Sequence, residues 1–147
     1  MEVMGRKKKG FSDFLKENYE PEGFIVSRFA NLEDGIIISL GRKKRHSVCP
    51  SCGKAAGIET LRKKMIRDLD LIKRCYIEFG QAKIRCRCGY RGVERLDFVG
   101  RHSRYTRRFE EYAASLANAM SFSDAARICG IDWKTARQMF YRARRPP

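Results

Sequence analysis

Two short cysteine turns decide the organisation of this chain: Cys49-Pro50-Ser51-Cys52-Gly53 and, further along, Cys86-Arg87-Cys88-Gly89. A tetrahedral zinc site needs four thiolate or imidazole ligands, and two tight turns can each present a close pair. A glycine follows each pair, and glycine adopts the backbone conformations that such turns need. We therefore predict a zinc ribbon with one structural Zn²⁺, held by Cys49, Cys52, Cys86 and Cys88. A disulfide pair or inert buried thiols are the alternative interpretations.

The other cysteines and the histidines have less distinctive surroundings. Cys75 shares one face of an alternating strand with Ile77 and Phe79, so a buried thiol is expected there. Cys129 falls at an apolar helical position, and neither thiol has the neighbouring His and acid of a nucleophile. His46 lies three residues before Cys49 and is the one residue that could replace a thiolate ligand.

The composition is that of a small and strongly basic protein. Its 147 residues carry 32 Lys+Arg against 17 Asp+Glu, a net charge of +15, and basic residues exceed acidic ones in each third of the chain. Such a persistent positive potential attracts polyanions, and nucleic acid is the expected partner. No apolar run approaches the roughly 20 residues that span a bilayer, so no membrane partner is expected. The basic start, Arg6 to Lys9, lacks the apolar core of a secretory signal, which favours a cytoplasmic, nucleoid-associated location in a bacterial-type cell.

The residue pattern predicts β-strands in the first two thirds of the chain. Two β-branched or aromatic runs flank turn-forming residues at 31–35, which predicts a β-hairpin. Residues 61–68, 73–79 and 82–87 predict three short strands, with Gly80-Gln81 between the second and the third. These strands would return the second cysteine pair to the first, as a zinc ribbon requires.

After residue 100 the apolar spacing becomes helical. Three helices are predicted, with N-caps at Thr106, at Ser121 or Ser123, and at Asp132. Ala126 lets two helices cross closely and Gly130 makes the tight turn that follows, a pattern typical of a helix-turn-helix. A three-helix packing unit without DNA contact is the alternative.

The third predicted helix carries the candidate DNA contacts. Arg pairs bidentately with guanine and Gln with adenine, whereas Lys, Tyr and terminal Arg suit phosphates. No acid follows Asp132 in the sequence. The predicted contacts from this helix are Trp133, Lys134, Arg137, Gln138, Tyr141 and Arg144. The candidates for base reading are Lys134, Arg137 and Gln138, of which Arg137 and Gln138 are the sharper pair, and Trp133 is either a contact or a packing anchor. Phosphate contacts are expected from Arg62, Lys63, Lys64 and Arg67 in the ribbon and from Arg142, Arg144 and Arg145 in the tail.

These elements define an α+β fold of small modules: an N-terminal β-hairpin, a four-cysteine zinc ribbon and a C-terminal three-helix helix-turn-helix unit. The predicted domain bounds are a basic leader at 1–21, the hairpin and ribbon at 22–100, and the DNA-binding domain at 101–147.

An ordered series of motifs between about residues 22 and 145 resembles the N-terminal region of the ISL-three family of bacterial insertion-sequence transposases. The motifs are Phe24-Ile25-Val26, Asp34-Gly35-Ile36, Cys49-Pro50-Ser51-Cys52-Gly53, Ile66-Arg67-Asp68-Leu69, Ile84-Arg85-Cys86, Arg104-Tyr105-Thr106-Arg107-Arg108-Phe109, Ala125-Ala126-Arg127 and Gly130-Ile131-Asp132-Trp133. The resemblance implies a zinc-binding domain followed by a helix-turn-helix that recognises transposon ends. The second cysteine pair is more closely spaced than is usual in that family.

The resemblance also implies double-stranded DNA as the partner, with terminal inverted repeats as the sites, and is compatible with a homodimer or a catalytic transposase partner. The family's catalytic acidic-triad domain has no counterpart in this sequence, so we expect no enzymatic activity from the chain. The acids near the ribbon belong to loops that offer no enclosed two-metal site. Two other functions stay open at this stage: a standalone repressor-like transcription regulator, and an RNA-binding zinc-ribbon protein.

Overall fold

The computed structural model describes residues 10–102 and 104–146. Within them the fold is α+β, as predicted, and its helices and strands follow in the order α1 (Phe11–Tyr19), β1 (Phe24–Asn31), β2 (Ile36–Arg42), β3 (His46–Val48), β4 (Ala55–Leu71), β5 (Lys73–Arg85), β6 (Arg91–Val93), α2 (Arg107–Ala119), α3 (Phe122–Cys129) and α4 (Trp133–Ala143). None of these helices is both long and apolar enough to cross a membrane.

The described residues form two compact units. The ribbon unit comprises residues 10–65 and 77–95, and the helical unit comprises residues 66–76 and 96–146. The long hairpin made by β4 and β5 therefore contributes to both units. Its far end, residues 66–76, which we call the distal hairpin, belongs with the three C-terminal helices.

One sheet contains all six described strands, in the order β1-β2-β5-β4-β3, with β6 paired to β5. The predicted N-terminal hairpin is confirmed, since β1 and β2 pair antiparallel from Phe24↔Arg42 to Asn31↔Ile36. Further antiparallel pairs join β3 to β4 and β5 to β6. Each cysteine turn thus lies in a hairpin. The strand β4 follows the first turn, β5 precedes the second, and these two long strands are neighbours in the sheet.

The predicted break at Gly80-Gln81 is wrong, because both residues lie inside β5. Cys75, Ile77 and Phe79 are buried on one side of this point, whereas Ala82 and Ile84 are buried on the other, so the inward positions change from odd to even. One extra residue in a strand produces this change, as in a β-bulge. Two long strands therefore replace the three short ones.

A buried carboxylate organises the ribbon unit. Glu94 is almost fully buried and accepts hydrogen bonds from the Arg42 guanidinium, the Ser47 hydroxyl and the Ala82 N–H. The Arg42 guanidinium also lies 4.9 Å from the centre of the Phe24 ring. Because a buried charge is tolerated only when it is paired and hydrogen-bonded, these contacts account for the position of Glu94.

The three C-terminal helices begin at the predicted caps. The side chains of Thr106, Ser121 and Asp132 accept hydrogen bonds from backbone N–H groups in the first turns of α2, α3 and α4. Ser121, and not Ser123, is thus the cap of α3. Gly130 ends α3 in the left-handed conformation, at φ 65°. Side-chain capping of this kind satisfies N–H groups that the helix leaves unpaired.

The core of the helical unit combines the helices with the distal hairpin. Its buried members are Phe109, Ala113, Cys129 and Met139, against which Leu69, Tyr105, Leu116 and Ile131 pack. Asp68 of the distal hairpin is fully buried and accepts hydrogen bonds from the Thr106 hydroxyl at 2.7 Å and from the Arg108 guanidinium. The distal hairpin therefore holds the first turn of α2 through an ion pair whose carboxylate is buried and whose guanidinium is partly exposed.

Candidate metal centre and nucleic-acid interface

Four cysteine sulfurs come together in the ribbon unit. The ligand atoms of Cys49, Cys52, Cys86 and Cys88 all lie within 4.8 Å of one another. The Sγ atoms of Cys49 and Cys88 are 3.7 Å apart, and those of Cys52 and Cys86 are 3.5 Å apart. Four sulfurs at the usual zinc–sulfur distance of about 2.3 Å from one tetrahedral ion would be separated by about 3.8 Å. The cluster is thus of the right size for one tetrahedral metal ion.

The backbone of both turns supports this arrangement. Gly53 donates a hydrogen bond to the Cys49 carbonyl at 2.9 Å, and Gly89 donates one to the Cys86 carbonyl at 3.1 Å. Both glycines have positive φ, 74° and 100°. In both turns the glycine after the cysteine pair thus donates to the carbonyl of the first cysteine, four residues back in Cys-x-x-Cys and three residues back in the shorter Cys-x-Cys.

The protonation of the thiols reflects their proximity. Burial raises the pKa of the Cys49 thiol, but hydrogen bonds from the backbone of Cys52 and Ser51 and from the neighbouring thiols outweigh it and lower the pKa to about 7. At Cys86 the backbone of Cys88 lowers the pKa, whereas burial and the contacts with the other thiols raise it to about 11. The cluster thus stabilises a thiolate at Cys49 but disfavours a second one at Cys86. A bound cation is therefore needed to ionise the whole cluster.

The residues outside the cluster occupy the positions expected for non-ligands. His46 is exposed and lies outside the group of four sulfurs. Cys75 is fully buried in β5, and Cys129 is buried in the core of the helical unit. Burial raises the pKa of the Cys129 thiol, which keeps it neutral.

Helix α4 has an inward and an outward face. Ala136 and Met139 are buried, whereas Lys134, Arg137 and Gln138 are exposed. Trp133 and Tyr141 are each 49% exposed, so Trp133 is not a core anchor. Seven side chains line an open concavity on this surface: Trp133, Lys134, Arg137, Gln138, Tyr141, Arg142 and Arg145. The residues that the sequence assigns to base reading thus lie together on one solvent-facing surface.

Aromatic rings position two of the arginines in and after α4. The Arg137 guanidinium lies 5.6 Å from the centre of the Tyr141 ring. The Arg144 guanidinium lies 4.1 Å from the centre of the Phe140 ring and donates a hydrogen bond to Asn118 Oδ1 at 2.7 Å. These contacts restrict the long side chains while leaving the two residues exposed.

The basic residues of β4 differ in exposure. Arg62 and Lys63 are exposed, and Lys63 forms an ion pair with Glu78 at 3.2 Å. Lys64 is half-buried beside Gln81, and burial lowers the pKa of its ammonium.

Arg67 differs from the other predicted phosphate contacts, because it is only 8% exposed. It donates a hydrogen bond to the Gly130 carbonyl at 2.9 Å, and its guanidinium lies 4.9 Å from the centre of the Phe109 ring. Its guanidinium is therefore committed to the packing of the helical unit, which leaves little of it to present to a phosphate. The sequence could not reveal this, because the partner groups are about 40 to 60 residues away along the chain.

Comparison with known proteins agrees with these observations. Residues 94–144 match the family model described as the helix-turn-helix domain of transposase family ISL3. No curated protein and no solved structure matches the chain. The resemblance to the ISL-three transposases is thus confirmed for the helix-turn-helix region, and the four-cysteine cluster agrees with its metal-binding part. Residues 94–144 are thus similar to a transposase helix-turn-helix domain, which suggests DNA binding, and the ribbon unit holds a cluster able to bind a metal ion.

Proposed function

We propose that this protein binds double-stranded DNA in a sequence-specific manner and recognises the terminal inverted repeats of a transposable element. The observation that carries the proposal is the solvent-facing surface of α4, in which Lys134, Arg137 and Gln138 lie together in a domain matched to a transposase helix-turn-helix. In a helix-turn-helix, the N-terminal part of the second helix contacts base edges in the major groove. These three side chains are in that part of α4.

The side chains of this surface have separate roles in the proposal. Arg137 and Gln138 have planar groups that can each make two hydrogen bonds to one base, so they read sequence. Lys134 contacts a base edge or a phosphate. Tyr141 and Arg144 contact phosphates and sugars, as do Arg62 and Lys63 of the ribbon unit. Trp133 is half exposed and contacts a base or a sugar.

The four-cysteine cluster binds one structural Zn²⁺ in this proposal. Sulfur-rich tetrahedral sites of this size favour zinc, and all four ligand positions are taken by protein side chains, as in structural sites. When bound, the ion supplies folding free energy and no chemistry. Cys49, Cys52, Cys86 and Cys88 would hold it and so tie β3 and β4 to β5 and β6.

Selection of bound duplexes from a random library tests the recognition surface. The wild type should enrich one sequence, and Arg137→Ala or Gln138→Ala should lose about 1–3 kcal/mol of preference for it while binding random DNA almost as well. Arg127→Ala is the matched control, because it also removes an exposed arginine from the helical unit but lies on α3. It should enrich the wild-type sequence.

The same selection separates the alternatives. Enrichment of a promoter-like site, in place of a repeat at the ends of a mobile element, would favour a regulator over a transposase-related protein. Preference for structured RNA over every duplex would reject DNA recognition altogether. If both α4 variants enrich the wild-type sequence with undiminished preference, α4 is not the reading element.

A further inference from the structure

The turn between β4 and β5 holds an apolar side chain in an unfavourable position. Ile72 has φ 66° and is the only non-glycine residue with positive φ among residues 10–102 and 104–146. Its side chain is completely exposed, at 106%. A left-handed backbone is a clear outlier for a β-branched residue, and complete exposure gains nothing from the hydrophobic effect. Strain of this kind concentrates at functional sites.

Contacts within the helical unit bring the distal hairpin to Gly130, in the turn that precedes α4. Arg67 of β4 donates a hydrogen bond to the carbonyl of Gly130, which ends α3 and begins the turn to α4. A Cβ atom added at Gly130 would lie 2.9 Å from the Arg74 Nη2 atom, so an arginine side chain from each strand of the distal hairpin reaches this residue. Ile72 is two residues from Arg74, which corresponds to about 7 Å along a strand.

The residues that follow Ile72 are basic. Lys73 and Arg74 are both exposed at the start of β5. The Oδ1 atom of the nearby Asp70 lies 3.5 Å from the Nη2 atom of Arg67, and this ion pair offsets the negative charge of Asp70. An exposed apolar side chain with cations next to it is the combination that proteins use in the minor groove, where the apolar group wedges against base steps and the cations contact phosphates.

We propose that residues 71–74, here called the hairpin tip, form a second DNA contact next to the major-groove segment read by α4. Ile72 enters the adjacent minor groove, and Lys73 and Arg74 contact the phosphates on either side of it. This proposal rests on the proposed function of α4, because the duplex must already be docked there. It adds a readout of minor-groove width and base-step flexibility to the direct readout by Arg137 and Gln138.

The substitution Ile72→Asn separates a DNA contact from a structural role. Asn adopts the left-handed conformation more readily than Ile, so the melting temperature should stay the same or rise. Affinity for the selected duplex should fall about tenfold, the loss expected when one apolar side chain of this size leaves a contact. Hydroxyl-radical footprinting should lose protection of the flanking minor groove while the segment under α4 stays protected. Ile72→Gly should behave in the same way.

Leu32→Asn is the matched control, since Leu32 is an exposed apolar residue at the turn of the other hairpin, between β1 and β2. It should change neither affinity nor footprint. Wild-type affinity and flanking protection in Ile72→Asn would overturn the proposal for the hairpin tip. If Arg137→Ala loses sequence preference in the same experiment, the proposed function of α4 stands and only the hairpin tip fails. If the wild type prefers no duplex and Arg137→Ala changes nothing, the proposed function itself fails.

Discussion

At the residue scale, two buried carboxylates carry much of the specific organisation. Glu94 in the ribbon unit and Asp68 in the helical unit each face a guanidinium and further hydrogen-bond donors. A carboxylate without these donors would be an unpaired charge in an apolar interior. The free-energy cost of such a charge is far larger than the net stabilisation that the ion pair provides. The partner arginines are therefore as important as the acids.

Replacing Asp68 should destabilise the helical unit. Asp68→Ala leaves the Thr106 hydroxyl and the Arg108 guanidinium without their acceptor, and we expect a loss of about 3 kcal/mol in the free energy of unfolding. This is the lower end of the usual range, because the Arg108 side chain is 41% exposed and can return to water. Chemical denaturation measures the loss. Asp70→Ala is the control, since the Asp70 side chain is 50% exposed and its removal should cost less than about 1 kcal/mol. Equal losses would contradict the role of Asp68.

The cysteine assignment is also tested at single residues. Cys86→Ser and Cys88→Ser should each abolish the binding of one zinc ion per chain, measured by native mass spectrometry, because a hydroxyl replaces a thiolate ligand. Cys75→Ser and Cys129→Ser should keep the metal, although each places a hydroxyl in a buried apolar site and should lower stability. One zinc ion retained in either of the first two variants would contradict the ligand set.

Zinc binding should weaken as the pH falls. The pKa of Cys49 is lowered to about 7 and that of Cys86 is raised to about 11, so these two thiols together hold more than one proton at neutral pH. Zinc must displace them, and its apparent affinity should fall more than tenfold between pH 7 and pH 6, since more than one proton is released. Competition with a chelator of known pH dependence measures this. An affinity independent of pH would mean that thiolates are not the ligands.

At the element scale, the turn between α3 and α4 is the most constrained segment. Gly130 has φ 65°, donates a hydrogen bond to Arg127 and accepts one from Arg67. Glycine adopts this conformation at the lowest free-energy cost, because residues with a Cβ atom are strained in the left-handed region. The turn thus orients α4 and meets the distal hairpin at the same point.

An alanine at Gly130 should lower stability by about 1–2 kcal/mol, through left-handed backbone strain and the displacement of Arg74 from the added Cβ. Thermal unfolding of the metal-bound protein measures the change. Gly57→Ala is the control: its φ is not positive, and the nearest atom to an added Cβ is a carbonyl oxygen at 3.9 Å. A neutral Gly130→Ala would show that the turn relaxes without cost.

At the scale of the whole molecule, the net charge of +15 makes affinity for DNA strongly dependent on salt. Each phosphate contact releases counterions, so removing one contacting cation lowers the slope of log affinity against log salt by about 0.9. Positive charge by itself cannot distinguish bases, and the specific preference therefore depends on α4.

Arg62→Gln should lower this slope by about one unit and weaken specific and random duplexes equally, because Arg62 is exposed and its proposed contact is with a phosphate. Arg67→Gln should instead lower thermal stability, because Arg67 is buried against Gly130 and Phe109. Fluorescence anisotropy across a salt series measures the slopes. If Arg67→Gln is stable and lowers the slope of log affinity against log salt, Arg67 contacts a phosphate after all.

Local patterns were enough to predict much of this protein. The spacing of the four cysteines, the caps at Thr106 and Asp132, and the β-branched or aromatic runs of β1 and β2 all depend on residues close in sequence, and the structure agrees with each. The polar face of α4 was predictable for the same reason, since helical period alone separates it from Ala136 and Met139.

Other features depend on contacts between distant parts of the chain. The grouping of residues 66–76 with the C-terminal helices, the burial of Arg67 and the pairing of Asp68 with Arg108 all arise from contacts between groups that are tens of residues apart. Such contacts leave no periodic signal, because a buried Arg or Asp is indistinguishable from an exposed one until its partner is known. The continuity of β5 through Gly80-Gln81 has the same origin: pairing with neighbouring strands outweighs the local preference of glycine for a turn.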